Sequence, residues 1–319
     1  MRIAHISDLH FTSFFKENNL NSIRYLLKYA LKKGTDHIII TGDLTDNADR
    51  NDFLTLRKLF DDLGLLHHDK LSLVIGNHDI FGGVQTAEDI FSFPGRCKIA
   101  DYKKKVKEFY VHFKETFDGA LIKDNETVFP YAKIINGVLL VGLNTNDEYS
   151  STKNIFASNG AVQLDQFNKA VHIFNTLSEK AHTKIVMLHH HFNKMKVNQG
   201  SAFGSFWQNI EKQTMKLRKK KRLFNVFKEY NVDLVLHGHY HVMGVYERKG
   251  IRFLNAGGSV KSDNADHLNI NFIDIKKDTI KIKTDFLNPS QADLLFDFNE
   301  RQKELLRDEE LFISEMTTN

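Results

Sequence analysis

The feature that most constrains this chain is a pairing that occurs five times: a short apolar run rich in Ile, Val and Leu, closed by a cluster of His, Asp, Asn or Gly. The runs 3–7, 37–41, 71–75, 184–188 and 233–236 end respectively at Asp8-Leu9-His10, Gly42-Asp43, Gly76-Asn77-His78-Asp79, His189-His190-His191 and Gly238-His239-Tyr240-His241. Runs this short and this apolar, with a sixth at 138–143, read as buried strands. Segments 21–33, 49–63, 163–177 and 222–230 carry apolar residues three and four apart and read as helices between them. That alternation is an α/β pattern. From residue 244 the period changes to two, over 244–247, 251–255, 268–275 and 279–285, so the core is expected to close in antiparallel hairpin strands.

In an α/β sheet the loops at the carboxyl ends of strands form the ligand site, so five clusters distant in sequence can converge. Asp8 and His10 stand two apart on extended chain and project the same way, as do His239 and His241, so each pair can grip one ion. A ligand set of His, Asp and Asn without thiolate suits two divalent ions of intermediate hardness such as Mn, Fe or Zn. Asp43, with two oxygens on one carboxylate, is the natural bridge between them. Gly42, Gly76 and Gly238 let the backbone turn sharply beside the ions.

The remaining composition narrows the function classes. Cys97 is the single cysteine, which leaves no internal disulfide and no Cys-based metal site, and fits a reducing compartment. The start of the chain lacks a signal-peptide pattern and no stretch reaches eighteen uninterrupted apolar residues, so the expected address is cytoplasmic with no transmembrane segment. A net charge of +4 over 319 residues does not argue for a nucleic-acid partner. The basic run 216–222 is read first as a solvated helix face and second as a contact for an anionic ligand or membrane surface. His5 and His237 are expected to be buried and hydrogen-bonded, His67 and His68 to face solvent, and Trp207 with Phe203 and Phe206 to form a packing cluster.

The ordered motifs Asp8-x-His10, Gly42-Asp43, Gly76-Asn77-His78-Asp79, His189-His190 and Gly238-His239-x-His241 resemble the calcineurin-like metallophosphoesterase superfamily over residues 1–260. The spelling Gly42-Asp43-Leu44-Thr45-Asp46 resembles its class III cyclic-nucleotide phosphodiesterase branch. The resemblance implies a four-layer α/β/β/α sandwich of two mixed sheets flanked by helices. It implies that Asp8, His10 and His241 hold one ion, that Asn77, His189 and His239 hold the other, and that Asp43 bridges them. His78 would contact the phosphate and protonate the leaving oxygen, with Asp79 orienting it. The family often has a proline soon after its His pair, where this chain reads His191-Phe192, so the choice among three histidines stays open. His189 is favoured because it directly follows the apolar run, and His190 comes second.

The expected activity is hydrolysis of a phosphate ester by a hydroxide bridging two ions roughly 3.5 to 4 Å apart. A phosphodiesterase for a small molecule is favoured; the alternatives are a nuclease, and a non-catalytic metal-fold scaffold. Residues 1–285 are expected to form the catalytic domain, with 83–124 and 194–221 as cap or specificity insertions longer than a compact connection requires. Residues 286–319 are expected to form a helical tail that packs on the core, binds a partner or supports an oligomer.

Overall fold

The computed structural model describes residues 1–13, 19–84, 86, 88–192, 215, 217–260, 267–277 and 279–290. Two mixed sheets are packed face to face. The first has the order β12-β11-β1-β2-β3, from β1 (Arg2–Ile6), β2 (His37–Thr41), β3 (Leu71–Val74), β11 (Leu268–Lys276) and β12 (Thr279–Leu287). The second has the order β4-β5-β6-β7-β8-β10-β9, from β4 (Ile122–Asp124), β5 (Val128–Ile135), β6 (Val138–Gly142), β7 (Thr183–Met187), β8 (Leu234–His237), β9 (Gly244–Arg248) and β10 (Ile251–Asn255).

Strands β1, β2 and β3 are parallel, as are β6, β7, β8 and β10. The antiparallel strands lie at the flanks, where β11 and β12 extend one sheet and β9 closes the other. Parallel strands covered on both faces are nearly continuous apolar runs, and β6 shows the partition. Val138 and Leu140 enter the core between the sheets, while Leu139 and Val141 enter a second core with Ile173 and Phe174 of α6 (Leu164–Leu177). Helices α1 (Leu20–Lys32) and α2 (Arg50–Asp62) bury Leu26, Leu27, Leu56 and Phe60 in the core of the first sheet, and α7 (Lys220–Glu229) buries Phe224 and Phe227 beside α6. The layers are therefore α/β/β/α, as the motif pattern implied.

The segment 83–124 carries two helices, α4 (Asp89–Ile99) and α5 (Tyr102–His112). Their inner faces send Phe93, Cys97, Val106 and Phe109 into the main core, where Phe113 and Phe117 follow. Most of 194–221, including Trp207, Phe203 and Phe206, lies outside the described residues, as does the tail beyond 290. The described end of the basic run is largely engaged within the fold. Leu217 is buried, Arg218 pairs with Asp147, Lys220 donates to the Phe192 carbonyl, and Arg222 lies over the Phe167 ring.

Candidate metal centre

The parallel strands all end on one edge of the sandwich, and the five clusters meet there. Short helix α3 (His78–Phe81) starts directly after Asn77 and carries His78 into the same cleft. Four residues of the site stand at left-handed φ: Asp8 (54°), His10 (43°), Asp43 (49°) and His239 (68°). Non-glycine residues avoid this region at a cost of about 1 kcal/mol or more each, a strain typical of sites over-determined by their surroundings. The backbones also approach closely. A Cβ on Gly76 would collide with the carboxylate and backbone nitrogen of Asp43, and one on Gly238 with the side chains of Ser7 and Asp8.

Hydrogen bonds on the far side of two rings set their tautomers. His189 Nδ1 lies 2.8 Å from the Thr41 carbonyl oxygen, which can only accept, so Nδ1 carries the proton and the lone pair is on Nε2. His10 Nδ1 lies 3.0 Å from Asp46 Oδ1 and is read the same way. The freed Nε2 of His189 faces Asp43 Oδ2 at 3.2 Å, Asn77 Oδ1 at 3.1 Å and His239 Nδ1 at 3.1 Å. The freed Nε2 of His10 faces His241 Nε2 at 3.2 Å and Asp43 Oδ2 at 3.8 Å, while His241 Nε2 stands 3.7 Å from Asp8 Oδ1.

Lone pairs and carboxylate oxygens thus converge at two adjacent places that share Asp43. Such convergence is repulsive unless a proton or a cation lies at its centre, and the set of imidazole nitrogens and carboxylate oxygens fits a divalent ion at each place. Asp8, His10 and His241 form one group of donor atoms all within 4.8 Å of one another, and Asp43, His189 and His239 form another. Asn77 joins the second group through its contact with His189.

Electrostatics follow the same arrangement. Burial would raise the Asp43 carboxyl, but the neighbouring His189, His78 and His10 outweigh it and hold it well below the usual carboxylate range. His78 is disfavoured as a cation by burial, yet Asp43 and Asp46 push it up to about 10. His78 Nδ1 contacts Asp46 Oδ1 at 3.0 Å, which leaves Nε2 toward the cleft, and its side chain keeps 24% exposure.

Of the three consecutive histidines, only His189 faces Asp43. His190 is turned away, with Nδ1 2.8 Å from Thr145 Oγ1 and Nε2 3.2 Å from the Ser158 carbonyl, so both its nitrogens are engaged elsewhere. His191 stacks between His239 and Tyr240. Asp79 is fully buried and does not touch His78. It accepts from the backbone nitrogens of Thr45 and Gly76, clamping the loop after β2 to the loop after β3. The residue that motif reading passed over is Asp46, which contacts the rings of both His10 and His78. Its signal was its place three residues after Asp43 on the same turn. His5 and His237 are buried and bonded to Thr41 and Tyr246, as expected.

A family model described as calcineurin-like phosphoesterase matches residues 1–243, and the chain belongs to that family. A protein of Ruthia magnifica named "Probable cyclic nucleotide phosphodiesterase" is 23% identical over 254 residues, covering 78% of this chain and 82% of its own. Among solved structures, a dimetal phosphatase from Danio rerio superposes with a TM-score of 0.58 at 11% identity, over 91% of this chain and 96% of that one. A purple acid phosphatase from yellow lupin superposes with a TM-score of 0.53 at 13% identity, over 92% of this chain and 52% of that one. At these identities the structures speak for the shared fold alone.

Proposed function

We propose that this chain is a two-metal phosphodiesterase acting on a small phosphate diester. The observation that carries the reading is the convergence of His10 Nε2 and His189 Nε2, each ring oriented by a bond at Nδ1 on the far side, on two places that share Asp43. In this reading Asp8, His10 and His241 hold one ion, Asn77, His189 and His239 hold the other, and Asp43 touches both. Mn, Fe and Zn all suit the donor set. Bound there, the ions supply charge neutralisation for the phosphoryl oxygens and an acidified water for in-line attack.

The chain's own residues do the rest. His78 holds a proton at Nε2 for the departing oxygen while Asp46 fixes its ring from Nδ1, the geometry a general acid needs. Asp46 fixes His10 through the same oxygen, so acid and ligand are set in register by one carboxylate. Asp79 holds the Asp43 turn against the Asn77 turn from below. The diester preference is supported by the named relative and by the Gly42-Asp43-Leu44-Thr45-Asp46 spelling. The nuclease alternative draws on the basic run and the aromatics before it; of the run, Arg218, Lys220 and Arg222 are committed to internal contacts, and the aromatics lie outside the described residues. A cytoplasmic address is supported by the lone buried Cys97, and no helix among the described residues is long and apolar enough to cross a membrane.

The test is hydrolysis of bis(p-nitrophenyl) phosphate beside p-nitrophenyl phosphate, on chelator-stripped protein with and without Mn²⁺. Metal-restored cleavage of the diester, lost in Asp43→Ala, is expected. Cleavage of the monoester alone would replace the reading with a phosphatase, and failure on both with metals bound would favour the scaffold.

A further inference from the structure

Helix α4 buries Phe93 and Cys97 and turns a different face to solvent. On that face Phe91 is 89% exposed and Ile99 82%, whereas every other large hydrophobic among the described residues is 60% exposed or less. Burying two such side chains would gain roughly 1.5 to 3 kcal/mol each relative to leaving them in water, so they are available as apolar anchors for a partner surface. The basic residues around them are arranged for one kind of cover. Lys98 sits beside Ile99, and Lys103, Lys104 and Lys107 line the exposed side of α5 immediately after the corner.

None of these four lysines makes an ion pair among the described residues. The neighbouring charges Arg96 with Asp89, and Lys105 with Glu108, neutralise each other. The acidic groups left over are Glu88 and Asp101, and the Asp101 carboxylate is engaged by the Lys104 backbone nitrogen as the cap of α5. The corner is therefore net positive, with two projecting apolar anchors on α4 and exposed lysines at its end and along α5. We infer that the α4–α5 corner docks this protein on an anionic lipid surface, with Phe91 and Ile99 entering the headgroup boundary and the lysines reaching lipid phosphates.

Two isolated projecting anchors beside several lysines suit a bilayer, because a fluid interface accepts such anchors without a complementary pocket. A second copy of the same patch would bring like charges together, so self-association through it is disfavoured. The corner is also tied to the rim of the candidate site. Arg96 of α4 donates to the Gly83 carbonyl, and Gly83 packs against the His78 ring so closely that a Cβ there would overlap it.

The experiment is co-sedimentation of the full chain with vesicles of phosphatidylcholine alone and of phosphatidylcholine mixed with phosphatidylglycerol, at low and high salt. Binding is expected on the anionic vesicles at low salt, with loss on the neutral ones and at high salt. Each lysine near such a surface contributes about a fivefold factor, so Lys98→Glu/Lys103→Glu/Lys104→Glu should weaken binding at least about a hundredfold. Phe91→Ser/Ile99→Ser should weaken it about tenfold or more, and both variants should keep the thermal melt and the soluble-diester activity of the parent. Equal binding to neutral vesicles, no vesicle binding at all, or unchanged binding by either variant would overturn the inference. So would a self-association in sedimentation velocity that Phe91→Ser/Ile99→Ser abolishes, which would assign the patch to a second copy.

Discussion

Asp79 gives the sharpest test of how the site is held together, because its role is visible without any ion. Its carboxylate is fully buried, with Oδ1 accepting from Thr45 N at 2.9 Å and from Thr45 Oγ1 at 3.2 Å, and Oδ2 accepting from Gly76 N at 2.9 Å. Asp79→Ala strands two buried backbone donors, each costing about 1–3 kcal/mol, so stability should fall by about 2–6 kcal/mol. Asp79→Asn keeps one carbonyl oxygen but turns an amide N–H toward one of the two donors, so about 1–3 kcal/mol should go. Burial and the nearby Asp43 push the Asp79 carboxyl up, so the comparison belongs in mildly alkaline buffer where it is ionised. Urea unfolding of chelator-stripped parent and variants, fitted with a common slope, reads both values. Asp79→Ala within about 0.5 kcal/mol of the parent, the range of ordinary surface substitutions, would refute the clamp.

Three further outcomes follow from the same geometry. His78→Ala should retain both metals and lose about 10² to 10⁴ in kcat on a diester with a poor leaving group, and less on bis(p-nitrophenyl) phosphate, whose nitrophenolate departs without a proton; an unchanged rate on the poor-leaving-group diester would remove His78 as the acid. Gly76→Ala, whose Cβ would overlap both the carboxylate and the backbone nitrogen of Asp43, should impair metal binding and stability together, as read by calorimetric titration with Mn²⁺ beside a thermal melt; parent-like affinity and melt would show that the close approach is not needed. His37, bonded to the Asp69 carbonyl and Ser72 Oγ, is held by burial and Lys133 down to about 3 from 6.5. The folded state refuses a proton that the unfolded chain takes, so His37 makes stability fall as pH drops through that window, by about 1.4 kcal/mol per pH unit. His37→Gln should flatten the acid limb of a urea-midpoint profile by that slope, and an unchanged limb would contradict it.

Much of this architecture was legible because burial on both faces leaves a plain mark. Every strand of the parallel sets is mostly apolar, with single polar residues such as His5, Ser72, Lys184 and Arg252 inside the runs, and β2 and β10 fall on the expected residues. Strand β5 was not legible: its sequence Val-Phe-Pro-Tyr-Ala-Lys-Ile-Ile is broken by Pro130 and Lys133. Lys133 is nevertheless buried, because the His68 and Leu71 carbonyls and Ser72 Oγ accept its ammonium protons. Helices α4 and α5 read as a cap segment because their outward lysines outnumber the aromatic residues that anchor them inside. At the site, motif spacing named Asp8, His10, Asp43, His189, His239 and His241, whose donor atoms the fold brings together, but not Asp46. What it could not rank was His189 against His190, which depends on Thr145 and Ser158, residues remote in sequence that engage His190 and turn it away. Nor could it show that Asp79 serves the backbone while Asp46 serves the His78 ring.

The most direct test of the two-ion centre is the number of metal ions held per chain. Protein stripped with chelator, reloaded with Mn²⁺ and passed through a desalting column should carry two ions per chain by inductively coupled plasma mass spectrometry, and Asp43→Ala should carry fewer. One ion or none in the parent, or two retained without Asp43, would contradict a centre in which that carboxylate joins both ions.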